Sequence, residues 1–139
     1  MWRAVILLIL LSSCASTPDP RLRDPTPAEW DAADFGNEPS NYDAAIRGYM
    51  EDVLRDPRSA TLTIKSGPKK TWVGDAPNFQ YGYGVCVLIV EPGVYTAYTD
   101  FGPTFFMLFN SAVTQMREGS DGERVCARLG RTPEGVSGN

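Results

Sequence analysis

Histidine is absent from the sequence, and this single absence removes several classes of catalytic and metal site. Neither a Ser-His-Asp triad nor a Cys-His pair can form within the chain. Zinc sites of the usual types need histidines or grouped cysteines, and the chain has only 3 cysteines. Serine–lysine chemistry stays formally possible through Lys65, Lys69 or Lys70. We expect no metal, no cofactor and no catalytic residue, and we interpret the protein as not an enzyme.

The sequence also has no apolar run that approaches the length of ~20 residues that a membrane-spanning helix needs. A short run, Ala4–Leu11, follows a single positive charge at Arg3, and small residues come next. This order is typical of a secretory signal peptide. Leu11-Ser12-Ser13-Cys14 resembles the bacterial lipobox, although Gly or Ala is commoner than Ser before the cysteine. We predict a signal peptide at residues 1–13.

The lipobox resemblance implies a lipid anchor on Cys14. A diacylglycerol would join the thiol, the peptidase would cut before this cysteine, and the new amino terminus would be acylated. Two or three chains make a durable anchor, because each buried CH₂ contributes ~0.8 kcal/mol. Ala15 follows instead of Asp, which resembles outer-membrane sorting in Gram-negative lipoproteins, with the domain facing the periplasm. The alternative is an ordinary secretory signal that happens to contain a cysteine.

The balance of charge is acidic. The whole chain has a formal net charge of −4, and Arg3 would leave with the signal peptide, which makes the mature domain more acidic. This charge argues against nucleic acid as a partner and against a basic patch for membrane surfaces. The expected partners are the membrane, through the lipid on Cys14, and an envelope protein.

An odd cysteine count normally indicates a spare thiol. Lipidation of Cys14 would account for one of the 3 cysteines and leave Cys86 and Cys126. In an oxidising periplasm we expect these two to form a disulfide, worth roughly 4 kcal/mol on the chain-entropy model. The alternative is a buried free thiol at Cys86. Redox catalysis is disfavoured because the chain contains no C-x-x-C pair.

The chain divides by composition into a tether, one domain and a tail. Residues 14–27 are rich in Pro, Asp, Arg, Ser and Thr and predict an extended, mobile tether. A single domain follows at residues 28–131, and residues 132–139 are expected to fray. A short helix is predicted from Pro27, capped by Thr26.

The residues from about Asn41 to Arg55 predict an amphipathic helix, with Ser40 as its N-cap and Asp56-Pro57 ending it. Strand patterns fill most of the rest. Gly67-Pro68 is expected to be a turn, the strand containing Cys86 to be central, and residues 119–122 to be a loop. The fold class is therefore α+β, with one helix packed on an antiparallel sheet of four to five strands. The predicted strand segments are Ala60–Lys65, Thr71–Val73, Tyr81–Val90, Val94–Thr99, Thr104–Phe109, Ala112–Arg117 (after a tight Asn110-Ser111 turn) and Val125–Ala127.

Three stretches resemble a loose group of small bacterial and prophage lipoproteins that have no assigned function. They cover about Asn41 to Arg117 and mark a helix terminator, a central strand and a glycine-containing corner. The resemblance supports the fold and assigns no functional residue. The stretches are Ala44–Met50 with Leu54–Ala60, Tyr83–Val87, and Tyr95–Pro103.

Aromatic residues concentrate between Tyr81 and Phe109, more than one face of a sheet can bury. The excess would form an exposed patch for a protein partner. The alternative is that Trp30, Trp72 and the N-terminal segment cover the second face. The candidate interaction surface consists of Tyr95, Tyr98, Asp100 and Phe101.

These observations favour a lipid-anchored envelope protein with a structural or protein-interaction role. The competing hypothesis is an inhibitor or binder of a periplasmic or incoming protein, similar to lysozyme inhibitors or phage-exclusion lipoproteins. Fold alone does not decide between them.

The lipid anchor gives the first testable prediction. A Cys14→Ala variant has no thiol to receive a diacylglycerol. We therefore expect it to lack the lipid and to leave the membrane fraction. Fractionation with detergent-phase partitioning and intact-mass measurement checks this. Equal acyl mass on the wild type and the variant would contradict the lipobox assignment.

Overall fold

The structure is a computed structural model that describes residues 16–91 and 102–136. It has the predicted α+β architecture, with a four-stranded antiparallel sheet in which consecutive strands are neighbours, in the order β1-β2-β3-β4. The elements in chain order are α1 (Pro27–Asp31), α2 (Tyr42–Val53), β1 (Thr61–Val73), β2 (Gln80–Val90), β3 (Thr104–Phe109), β4 (Ala112–Arg117) and α3 (Gly119–Arg128).

The two central strands are buried on both faces, as the apolar run around Cys86 predicts. On one face, side chains of β2 and β3 pack against Ile46 and Met50 of α2. On the other face, Cys86, Phe105 and Met107 pack with Val125 of α3. The sheet therefore lies between two helices, where the sequence patterns indicate one.

The segment from Gly119 to Arg128 is a helix, so the predicted loop and the predicted strand Val125–Ala127 are both wrong. Val125 and Leu129 are one helical turn apart and face the sheet. The two glycines suggest a loop, but Gly122 is needed for contact, because a Cβ there would clash with the Arg117 carbonyl oxygen. A close approach of helix to strand explains the glycine better than a break in the helix.

Strand β1 runs through the predicted Gly67-Pro68 turn without reversing. Its pairing with β2 shifts register between Ile64 and Ser66 and again between Ser66 and Lys69. Such bulges absorb extra residues while the strand keeps its direction. The Gly-Pro signal therefore marks an irregularity inside one strand rather than a connection between two.

The hairpin between β3 and β4 has the predicted bounds and the predicted Asn110-Ser111 turn. Both turn residues have positive φ, 49° and 66°. Positive φ at both central positions is the signature of a type I′ turn, whose twist matches that of the flanking strands. Asn110 also holds the segment between α1 and α2, because its Oδ1 accepts a hydrogen bond of 2.9 Å from the backbone N–H of Asn37.

Helix α2 is shorter than predicted. Its N-cap is Asn41, not Ser40, and no side chain caps the first turn. The helix ends at Val53, and the backbone N–H of Leu54 donates to the Met50 carbonyl at 2.9 Å. Within the described residues, no helix is long and apolar enough to cross a membrane.

Both segments that flank the predicted domain lie on it. The predicted tether, residues 14–27, contacts the domain from Arg21, whose carbonyl accepts a 3.1 Å hydrogen bond from Ala76. The predicted frayed tail begins with Thr132, yet Pro133 is fully buried and Val136 packs beside buried aromatic rings. Composition alone indicates neither contact, because the aromatic rings that these segments touch are distant in sequence.

The predicted disulfide is present. Cys86 of β2 and Cys126 of α3 are bonded with their Cα atoms 5.8 Å apart. The alternative of a buried free thiol at Cys86 is therefore wrong, and the partner cysteine lies on a helix instead of a strand. The bond attaches α3 directly to a central strand of the sheet.

The disulfide gives a stability prediction. A Cys86→Ala/Cys126→Ala double variant is expected to lose roughly 4 kcal/mol, because the sequence separation of 40 residues sets the loop entropy that the bond removes from the unfolded chain. Urea unfolding of the oxidised proteins measures this loss. Reductant should lower the wild-type midpoint and leave the variant unchanged. Equal midpoints for the oxidised wild type and the variant would contradict the prediction.

Candidate functional site

Among the sequence-predicted site residues, Cys86 and Cys126 form the disulfide, whereas the others fall outside the described part of the chain. This holds for Cys14, for the predicted strand Val94–Thr99 and for the candidate surface of Tyr95, Tyr98, Asp100 and Phe101. The described chain before this segment ends at Glu91, whose Oε1 accepts a 3.2 Å hydrogen bond from the backbone N–H of Asp56. The described chain therefore reaches Glu91 beside the residues that follow α2.

The described aromatic side chains of the sheet are mostly covered. Tyr83, Phe105 and Phe106 are buried. Trp30 and Phe35, from the N-terminal segment, pack with Trp72 and Tyr83 to form what we call the aromatic cluster. The N-terminal segment therefore covers Trp72 and Tyr83, as the alternative proposes, whereas α3 packs over Phe105 and α2 packs over Phe106.

Edge-to-face contacts and three cations organise the aromatic cluster. The Trp30 ring centroid lies 4.7 Å from that of Phe35 and 5.7 Å from that of Trp72. Such edge-to-face pairs are favourable beyond the area that they bury. Cations lie over rings at the border of the cluster, where the positive charge meets the negative face of each ring. They are Arg23 over Phe79 (5.4 Å), Lys70 over Phe35 (5.1 Å) and Arg128 over Trp72 (4.2 Å).

The N-terminal segment is held by a capped helix and an ion pair. Thr26 and Glu29 form a reciprocal capping box around the first turn of α1. Arg23 Nη1 lies 2.7 Å from Glu29 Oε2. The hydrogen bond from Arg23, followed by the backbone N–H of Thr26, lowers the pKa of Glu29 to about 2.

The N-terminal segment from Arg21 to Phe35 packs on the domain, and we call it the docked segment. Its residues 22–24 form one wall of a polar cleft. Two adjoining depressions, of about 380 and 450 Å³, share Asp24, Trp72, Arg124 and Arg128, and together we call them the Arg128 cleft. Helix α3 and the residue Arg131 beyond it supply the opposite wall. Three arginines thus line one side of a single depression.

Arg128 is the central cation of the cleft. Its Nη2 donates a 2.5 Å hydrogen bond to the Trp72 carbonyl, and its guanidinium lies 4.2 Å from the Trp72 ring centroid. Its Nε is buried and has no hydrogen-bond partner among the described residues. Burial, the largest cause, lowers the pKa of Arg128 from its ordinary value.

Neighbouring arginines on this wall are already paired. Asp121 accepts from Arg117 at 2.8 Å and also from Arg124. These hydrogen bonds, with that from Arg124 first, hold the pKa of Asp121 below its usual value. Arg128 and Arg131, by contrast, form no ion pair with any residue that the structure describes.

A second depression, which we call the α2 groove, lies on the other side of the sheet. It measures about 500 Å³ and runs between the end of α2 and the start of β1. Met50, Leu54 and Leu62 are among its lining residues, with Arg47 and Glu51. Two apolar side chains of the same helix, Tyr49 (37% exposed) and Val53 (48%), remain open to solvent.

One spacing associated with serine–lysine chemistry is present, from Ser66 to Lys69. On a helix, residues three apart lie on one face. The structure instead places this pair in β1 at the bulge, and the exposed Lys69 side chain runs past Gly130. In the described ranges no group of three or more acidic or cysteine side chains could hold a metal ion.

Comparisons of the chain with protein-family models, with curated proteins and with solved structures gave no match. A function for this chain must therefore be inferred from its own residues and their contacts.

The Arg23–Glu29 pair gives a pH prediction. Because the pKa of Glu29 falls from 4.5 to about 2 on folding, the pair stabilises the docked segment above pH 4.5 and this stabilisation is lost as the pH falls through about 2. The Trp30 indole signal in NMR spectra, followed from neutral pH downward, reports docking. A Glu29→Gln variant should show a smaller pH dependence in this window. Identical profiles for the two proteins would rule out the pair as the cause.

Proposed function

We propose that this protein is a lipid-anchored, non-catalytic cell-envelope protein that acts by contact with another envelope protein. The observation that carries the proposal is the Cys86–Cys126 disulfide. Structural disulfides are typical of oxidising compartments such as the periplasm. Of the 3 cysteines in the chain, only Cys14 is then left, and it stands in the lipobox-like sequence.

The docked N-terminal segment supports a site of action close to the membrane. The first residue with a backbone bond to the domain is Arg21, through Ala76. From Cys14 to Arg21 an extended chain reaches at most about 24 Å, at ~3.4 Å per residue. The lipid would therefore keep the domain near the bilayer surface, where an envelope partner is also held.

The α2 groove is the contact surface that we assign to this partner. Met50 and Leu54 line the depression together with Ala60 and Leu62, so an apolar side chain of a partner could enter it. Interfaces depend on such apolar anchors more than on their polar rims. Glu91, the last described residue before the sequence-predicted surface, lies near the same end of α2.

Capture of the partner from crosslinked cells tests the proposal. The lipidated wild type, solubilised in detergent, is expected to recover one dominant envelope protein, read by mass spectrometry. Ala60→Asp should reduce recovery roughly tenfold, because it places a charge in the lining of the groove. Ala112→Asp is the matched control, since Ala112 is an exposed alanine that lines neither the groove nor the Arg128 cleft. Cys14→Ala should lose the partner along with the membrane.

Each other outcome contradicts a stated part of the proposal. Equal recovery by Ala60→Asp and wild type would move the contact away from the α2 groove, and Tyr98→Ala with Phe101→Ala would then test the segment 92–101. Recovery of nothing specific would contradict a resident envelope partner and favour the inhibitor hypothesis, which direct inhibition assays would examine.

A further inference from the structure

The Arg128 guanidinium is a partly buried cation that the described protein leaves without a counter-ion. One N–H bonds the Trp72 carbonyl, and the flat group covers the Trp72 ring. Its Nε–H has no acceptor among the described residues. A buried charge or donor without a partner is costly, and proteins normally supply one. Because Nε is shielded from solvent, a ligand would reach the guanidinium through its Nη atoms, and this incompletely bonded cation is the first reason to look for one.

The cleft around Arg128 is the second reason. Its outer part, about 450 Å³, is lined by Arg124, Arg128 and Arg131 on one side. Arg124 is held by Asp121, whereas Arg128 and Arg131 form no ion pair within the described residues. Two unpaired guanidinium groups therefore border a space large enough for a small ligand.

The local charge indicates which anion fits. Asp24 and Glu134 also line the outer part of the cleft. When the inner part is included, so that Asp121 is counted with Arg124, five arginines and four carboxylates line the whole cleft and leave one net positive charge. A single carboxylate neutralises this charge, whereas a polyphosphate would be repelled by the acids. The planar guanidinium also matches the two oxygens of a carboxylate in a bidentate pair.

We propose that the Arg128 cleft is a binding site for a singly charged carboxylate, such as a peptide chain end or an acidic side chain. The carboxylate accepts hydrogen bonds from N–H groups of Arg128 that the protein does not use, and Arg131 adds a second positive charge. The ring and the carbonyl of Trp72 fix the position of the Arg128 guanidinium, so the cation is ordered before the ligand binds. This site lies on the α3 side of the sheet and is independent of the α2 groove.

NMR titration of the full chain tests this site. The probes are acetate, a short N-acetylated peptide with a free carboxyl end, the same peptide amidated, and an amidated peptide with one internal glutamate. The side-chain Nε–H signal of Arg128 and the indole signal of Trp72 are expected to shift saturably with at least one peptide carboxylate, with a dissociation constant on the order of 1 mM. Added salt should weaken this binding.

Three variants locate the binding. Arg128→Gln should weaken it roughly tenfold or more, because a charge-assisted hydrogen bond is lost. Arg131→Gln, at an exposed residue outside the helix, keeps the test valid if Arg128→Gln unfolds, and should weaken binding several-fold. Arg55→Gln is the matched control, because Arg55 is an exposed arginine that lines neither the α2 groove nor the Arg128 cleft. It should bind as the wild type does.

The outcomes distinguish a chain end from an acidic side chain as the source of the carboxylate, and they also show whether the proposal is wrong. Binding of the free-end peptide alone identifies a chain end, and binding of the glutamate peptide alone identifies an acidic side chain. Binding of both peptides supports a general carboxylate site. Equal binding by the fully amidated peptide, absence of a saturable shift with every probe, or equal affinities for wild type and Arg131→Gln would overturn the proposal.

Discussion

The bond between Cys86 and Cys126 fixes helix α3 on the sheet, and the rest of this side of the molecule depends on where α3 lies. The helix carries Arg128, whose guanidinium covers Trp72. Trp72 in turn contacts Trp30 of the docked N-terminal segment. A covalent link between a central strand and a short helix is effective here because a helix of ten residues is marginal in isolation. The aromatic cluster and the Arg128 cleft therefore both follow from one crosslink.

The parts of the fold that local patterns determine could be predicted from the sequence. The apolar run around Cys86 indicates a strand buried on both faces, and Asn110-Ser111 between two strand-like segments indicates the hairpin that the structure has. The helical stripe of α2 is correct to within a few residues. In each case the signal lies inside one window, where side-chain period or turn chemistry leaves few alternatives.

The errors arise where a distant contact decides the local conformation. Gly122 resembles a helix breaker, but α3 passes so close to β3 that a Cβ at this position would lie 3.1 Å from the Pro103 carbonyl oxygen. The Gly67-Pro68 pair resembles a turn, but ladder pairing with β2 on both sides carries the strand through it. The Arg128 cleft was not predicted, because its walls come from residues 22–24, from β1 and from α3. Arginines at positions 124, 128 and 131 are the only local trace of it, and such a run usually indicates a solvated helix face.

The two depressions lie on opposite faces of the sheet, and the route of the N-terminal segment relates them to the membrane. Leu22, Arg23 and Asp24 wall the Arg128 cleft and are also the part of the docked segment nearest in sequence to Cys14. A lipid on Cys14 would thus place the cleft beside the point where the chain departs for the bilayer. The α2 groove, behind the sheet, would remain open to a partner that approaches from the periplasmic side. If both proposed sites bind as proposed, the domain would connect a carboxylate held near its anchor with an apolar side chain of a second component at the α2 groove.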